Sequence, residues 1–180
     1  MIHFTYTGTE TIPEDTTALA CNYGELENLP TLPSRLQILW CNDNQLTSLP
    51  TLPESLETLC CEDNYLTSLP HLPAGLQKLH CYNNRLTSLP KLPQDLRELN
   101  CFNNDLTSLP EDLPETLQKL MCYGNPLPLI GSSNMIEVIR QLKEKDKKIK
   151  ELEEQLKIVP GGELYLQAKA DFETRTSGFS

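Results

Sequence analysis

The chain has 180 residues, 38% of them hydrophobic and 6% aromatic, with a formal net charge of −10 at pH 7. Its length suits one domain, and no segment approaches the roughly 20 apolar residues that a membrane helix requires, so no membrane partner is expected. Residues 1–130 carry sixteen acidic and six basic side chains whereas residues 131–180 carry nine of each; the acidic part repels phosphate backbones, which excludes nucleic acid and favours a basic protein or peptide.

The chain starts Met1-Ile-His-Phe-Thr-Tyr-Thr-Gly-Thr-Glu10. It has neither a basic n-region nor a run of about seven apolar residues, so no secretory signal peptide is read there. Residues 1–11 are expected to form a short extended N-terminal cap, because the first unit of a stack needs a polar outer face.

A twenty-residue phrase then repeats down the chain. Residues 46–65 are one full copy, copies restart at Leu66 and Leu86, and the copy at Leu106 has one extra residue. Cys21, Cys41, Cys61, Cys81 and Cys101 are therefore spaced by twenty, and Cys122 slips by one. A fixed period of this size marks a solenoid whose core is buried only between neighbouring repeats. Counting from the degenerate copy at Ile12, residues 12–130 hold six repeats. In that first copy Thr16 stands where later copies have leucine, and Gly24 where they have asparagine.

Within a copy, Leu56-x-x-Leu59-x-Cys61-x-x-Asn64-x-Leu66 predicts a short strand, a turn and an extended return. Alternation sends Leu59 and Cys61 into the core and Thr58, Cys60 and Glu62 to the open face of a parallel sheet. The return limb, with Leu69 and Leu72 facing inward, holds Pro70 and Pro73. Prolines three apart remove amide donors and restrict the residues before them, so this limb is extended or polyproline-like rather than helical.

Three repeating positions need separate accounts. The asparagines 44, 64, 84, 104 and 125 offer donors and an acceptor to the backbone of a buried turn. The six cysteines in register suit small buried hydrophobes, and their regular spacing argues for inert core thiols in an intracellular, reducing, cytoplasmic setting, with the cytoplasm of a host cell as one option. Two sharper readings compete: neighbouring strands about 4.8 Å apart would permit disulfides, and thiols bind metals. A linear ladder does not converge four ligands on one point, so no metal is expected from it. No cofactor motif is present, and none is expected to bind.

The variable positions of the open face form three columns. They read Ala18, Ile38, Thr58, Lys78, Glu98, Lys119; then Ala20, Trp40, Cys60, His80, Asn100, Met121; then Asn22, Asn42, Glu62, Tyr82, Phe102, Tyr123. Tyr82, Phe102 and Tyr123 follow one another, with Trp40, the single tryptophan, expected beside them. Adjacent exposed aromatics resemble an interface hot spot, though they also pack simply as cross-strand neighbours. The candidate partner-binding set is Trp40, Cys60, Glu62, Lys78, His80, Tyr82, Glu98, Asn100, Phe102, Met121 and Tyr123. Cys60, off the core column, is expected to face solvent and to be open to modification. No nucleophile, base and orienting group assemble into a catalytic set, so no enzyme is expected.

The phrase Leu-Pro-x-Leu-Pro-x-x-Leu-x-x-Leu-x-Cys-x-x-Asn-x-Leu-Thr-Ser resembles the short, proline-rich leucine-rich repeats of bacterial secreted effectors of the Ipa and Yop type, and similar copies occur in giant DNA viruses. The resemblance covers Ile12 to about Ile130. It implies an α/β-type leucine-rich-repeat solenoid with short parallel strands on its concave face. It also implies a protein-protein interaction module that binds a protein or peptide on that face, or an effector adaptor. Several such effectors carry a ubiquitin-ligase domain with a Cys-x-Asp motif, and Cys41-Asn42-Asp43 and Cys61-Glu62-Asp63 match those letters. Both cysteines lie in the core column, however, and a reactive thiolate needs exposure and a positive setting. The chain also lacks room for a large catalytic domain after the repeats.

Beyond the repeats the period changes. Asn134 with Glu137 three positions on is a helix-start signal. Met135, Val138, Leu142, Lys145, Ile149, Leu152, Leu156 and Val159 follow heptad spacing, broken at Lys145. Residues 131–159 are thus expected to form a helix that caps the last repeat or, through residues 135–159, a coiled-coil homodimer. In the second case the repeats would be the spacer of an oligomerised scaffold. Residues 160–180, after Pro160-Gly161-Gly162, are expected to be a short helix or a disordered tail.

Overall fold

The computed structural model describes residues 2–127 and Glu144. The chain divides into two compact units, Met1–Ile136 and Glu137–Ser180. The expected C-terminal helix, coiled coil and tail lie outside the described residues, apart from exposed Glu144. No helix among the described residues is long and apolar enough to cross a membrane.

The described residues of the first unit carry seven strands of three residues: β1 His3–Thr5, β2 Ala18–Ala20, β3 Ile38–Trp40, β4 Thr58–Cys60, β5 Lys78–His80, β6 Glu98–Asn100 and β7 Lys119–Met121. They form one sheet in sequence order, every pair parallel. Register follows the period: Leu19, Leu39, Leu59, Leu79, Leu99 and Leu120 stand opposite one another. The extra residue of the last copy is taken up before β7 by the return limb, where Glu111 and Asp112 are exposed, so the sheet is undisturbed. β1 continues the sheet by pairing with β2, His3 opposite Ala18. Parallel pairing is maintained because each return limb brings the chain back to the same end. Each return closes in a turn, as in Leu56 N–H to Pro53 O at 3.0 Å and Leu76 N–H to Pro73 O at 3.1 Å.

The core is the inward ladder of leucines and cysteines. Leu36, Leu56, Leu76 and Leu96 join the strand leucines, and Leu52, Leu72 and Leu92 on the returns close the far wall. Cys21, Cys41, Cys61, Cys81, Cys101 and Cys122 are buried. Removal from water disfavours the thiolate, and burial pushes Cys21 and Cys101 up to about 12, with Cys41, Cys61 and Cys81 well above the ordinary value. Thr16, in the leucine position of the first copy, is fully buried and its hydroxyl has no hydrogen-bond partner.

The turn after each strand is built by two adjacent side chains. Asn84 Nδ2 donates to the carbonyls of Cys61 (3.0 Å), Cys81 (3.2 Å) and Tyr82 (3.2 Å), while its Oδ1 accepts from Leu66 N–H at 2.9 Å. Asn44, Asn64, Asn104 and Asn125 repeat the pattern. The residue before each asparagine is left-handed, with φ of 55° at Asp43, 54° at Asp63, 51° at Asn83, 49° at Asn103 and 68° at Gly124. Asp, Asn and Gly are the residues that tolerate this region. Their side chains also link repeats, Asn83 Nδ2 to Asp63 Oδ1 at 2.8 Å and Asn103 Nδ2 to Asn83 Oδ1 at 3.0 Å.

Candidate functional site

The strands set alternate side chains on the face opposite the leucines, and each strand places a row of that face. Between β4 and β7 these rows hold most of the candidate residues. Register sets Trp40, Cys60 and His80 side by side, and then Asn100 and Met121. The third column lies two residues beyond the second, just past the strand ends.

In that third column the rings of Tyr82, Phe102 and Tyr123 form a continuous stack. Tyr82 and Phe102 have centroids 4.4 Å apart with planes 9° from parallel, and Phe102 and Tyr123 are 4.7 Å and 8° apart. In-register strands spaced by about 4.8 Å bring like side chains to stacking distance. Tyr123 ends the stack and is 57% exposed. The aromatic column is therefore a cross-strand packing feature that also offers apolar surface.

Trp40 is not part of it. Its ring lies 5.8 Å from that of His3, on the N-terminal side of the sheet. The expectation that it would stand beside the three aromatics is corrected: it is two strands removed from Tyr82, and the added strand β1 brings His3 into its reach.

The expected exposure of Cys60 is also corrected. Cys60 is buried, 8% exposed, because its short side chain lies between Trp40 and His80, both much longer. Asn100, expected on the open face, is buried for the same reason between His80 and Met121, and its Oδ1 has no hydrogen-bond partner. Desolvation, with the Glu62 carboxylate adding to it, pushes the Cys60 thiol up to about 12. Such a thiol is protonated at neutral pH and is a poor nucleophile.

Charged groups surround these residues. Glu98 on β6 takes Lys78 Nζ at 3.7 Å on one oxygen and His80 Nε2 at 3.6 Å on the other. Lys78 is the register partner of Glu98, and His80 is its diagonal neighbour. Glu62, at the end of the row after Cys60, is half-buried, and desolvation moves its carboxyl above the ordinary range. Tyr82, beside it in the column, is pushed up by desolvation and then by Glu62.

The Cys-x-Asp letters have a structural explanation. Asp43 and Asp63 are the left-handed residues of their turns, in the same column as Asn83, Asn103 and Gly124. Cys41 and Cys61 are fully buried beneath the sheet. The motif here belongs to the turn and the core. That left-handed column went unread in the sequence, although Asp43, Asp63, Asn83, Asn103 and Gly124 at one spacing spell the preference.

A family model for leucine-rich repeats in two copies matches residues 74–115. Among solved structures, YopM of Yersinia enterocolitica is 35% identical with a TM-score of 0.65 over 69% of this chain, and the chain spans 28% of YopM's length. The leucine-rich-repeat domain of a Shigella effector is 31% identical with a TM-score of 0.58, over 74% of this chain and 69% of that domain. A leucine-rich-repeat protein of Leptospira interrogans is 27% identical with a TM-score of 0.50, over 72% of this chain and 36% of that one. No curated protein is matched. The twenty-residue period, the leucine and asparagine ladders and these likenesses place the chain in the leucine-rich repeat family, among repeats of the bacterial effector type.

Proposed function

We propose that the open face of the sheet, concave in this family's architecture, holds a protein or peptide, with the stack of Tyr82, Phe102 and Tyr123 as its anchor. The single observation that carries this reading is the stack itself. Three rings lie in contact, ending in exposed Tyr123, and none of the three is needed to fill the leucine-cysteine core. Rigid aromatics lose little entropy on binding and dominate interface hot spots. Leucine-rich repeat proteins bind other proteins, and the effector-like neighbours support the same coarse function. Lys78, His80, Glu98, Asn100 and Met121 border the stack on the strands and Glu62 precedes it in its column, while Trp40 with Cys60 lies toward the N-terminal side. The excess of acidic groups in residues 1–130 favours a basic partner. The module acts by binding, without a catalytic step.

The test is a selection of displayed peptides against the full chain, followed by affinity measurement on the double variant Tyr82→Ala, Phe102→Ala. Truncating two hot-spot aromatics is expected to cost at least about 2 kcal/mol of binding, or about thirtyfold in Kd. Peptides that bind a normally folded double variant as tightly as the native chain would refute the proposal.

A further inference from the structure

Three side chains with metal-ligating atoms meet on the open face. Cys60 ends β4, Glu62 follows two residues later on the same side, and His80 is the register partner of Cys60. Cys60 Sγ lies 3.9 Å from His80 Nδ1, and the sulfur, the imidazole nitrogen and a carboxylate oxygen all fall within 4.8 Å of one another. Around one tetrahedral zinc, bond lengths near 2.0 to 2.3 Å put neighbouring ligand atoms about 3.3 to 3.6 Å apart. The cluster thus needs only a small inward rotation of Glu62 and His80, both half-buried and able to turn.

Two further observations point to a cation. Glu62 Oε2 is shut off from solvent and has no hydrogen-bond partner, which leaves a carboxylate oxygen uncompensated. His80 presents Nδ1 to the cluster while its Nε2 faces Glu98 Oε2 at 3.6 Å. A carboxylate on the far nitrogen is the arrangement that holds a ligating histidine in the right tautomer. Lys78 is the nearby positive charge, and it is engaged by the other oxygen of Glu98. A cysteine-histidine nucleophile is the competing use of the same contact, but the Glu62 carboxylate beside the sulfur opposes a free thiolate, whereas a divalent cation neutralises thiolate and carboxylate together.

We propose that Cys60, Glu62 and His80 form a three-ligand site for a divalent cation of the zinc type, its fourth position left to water on the open face of the sheet. Binding replaces the S–H bond of Cys60 by a sulfur-metal bond and releases that proton to solvent, with no change of oxidation state. The site is independent of the inward cysteine ladder, which lies on the other side of the sheet.

The test is a titration of the reduced full-length chain with Co²⁺, read by thiolate-to-cobalt charge-transfer absorption and displaced by Zn²⁺, with proton release followed in parallel. The native chain is expected to take one equivalent and release one proton. Cys60→Ser, nearly isosteric, is expected to abolish the charge-transfer band while circular dichroism stays native. Glu62→Gln, at a half-buried position, tests the site by a second route and should weaken binding at least about tenfold, and Glu98→Gln, acting through His80, about 10- to 100-fold. Absence of Co²⁺ and Zn²⁺ binding by the native chain would overturn the proposal. So would an undiminished band in Cys60→Ser, or unchanged affinity in Glu62→Gln.

Discussion

Replacing Asn84 by alanine removes one acceptor and two N–H donors from the middle of the stack. The carbonyls it serves are each served twice: Cys61 O keeps Asn64 Nδ2 at 3.2 Å, Cys81 O keeps Asn104 Nδ2 at 3.0 Å, and Tyr82 O keeps Asp63 N–H at 3.1 Å. Leu66 N–H has only Asn84 Oδ1, at 2.9 Å, and Leu66 is fully buried. One orphaned buried donor costs about 1 to 3 kcal/mol, and the two donor bonds lost to already-paired carbonyls add about 1 kcal/mol. The total is about 2 to 4 kcal/mol, which lowers a urea midpoint by about 1 to 4 M at a slope of about 1 to 2 kcal/mol/M. Asn125, only partly buried at the end of the ladder, makes the same set of bonds, with Leu106 N–H at 3.0 Å. Leu106, whose N–H loses its acceptor, is as fully buried as Leu66, so Asn125→Ala should cost a comparable amount. The assay is urea unfolding by circular dichroism and Trp40 fluorescence, with coincident curves as the check on cooperativity. An unchanged midpoint in Asn84→Ala or in Asn125→Ala would refute the satisfied-turn account.

Gly124→Ala should destabilise by at least about 1 kcal/mol, because φ is +68° and a Cβ there would sit 2.0 Å from Asn103 Oδ1; a thermal scan with unchanged Tm would contradict this. Thr16→Val replaces a buried, unpartnered hydroxyl by a methyl of similar shape and should raise stability by about 1 kcal/mol, seen as a higher urea midpoint. The core thiols predict alkaline sensitivity. Their folded values are raised from an ordinary 9.0 to about 12 at Cys21 and Cys101, so the unfolded chain loses these protons first. Stability is then fully present below about pH 9 and falls as pH rises toward about 12; a flat urea midpoint across that window would contradict the burial of neutral thiols.

The period made the fold legible because each copy states the same local preferences, and six copies average out the exceptions. Leu59 and Cys61 inward, Leu72 closing the far wall and Asn64 tying the turn were all readable from one register. The aromatic stack was readable too, since Tyr82, Phe102 and Tyr123 share a column. Cys60 was misplaced because alternation gives a side chain's direction but not its cover, which depends on the lengths of Trp40 and His80 on the flanking strands. Trp40 was misplaced because its ring partner, His3, comes from outside the repeat grid. The meeting of Cys60, Glu62 and His80 required cross-strand register in three dimensions, although an i, i+2 pair and a partner twenty residues on contain it.

The most direct measurement of binding by the open face is side-chain footprinting with hydroxyl radicals, with and without a selected peptide. Tyr23, 77% exposed, and Tyr65, 46% exposed and covered by Arg85 at 4.8 Å, belong to the turn regions and serve as internal controls. Peptide binding is predicted to protect Tyr82, Phe102 and Tyr123 and to leave Tyr23 and Tyr65 as reactive as before. Protection of the turn tyrosines with an unprotected stack would contradict it.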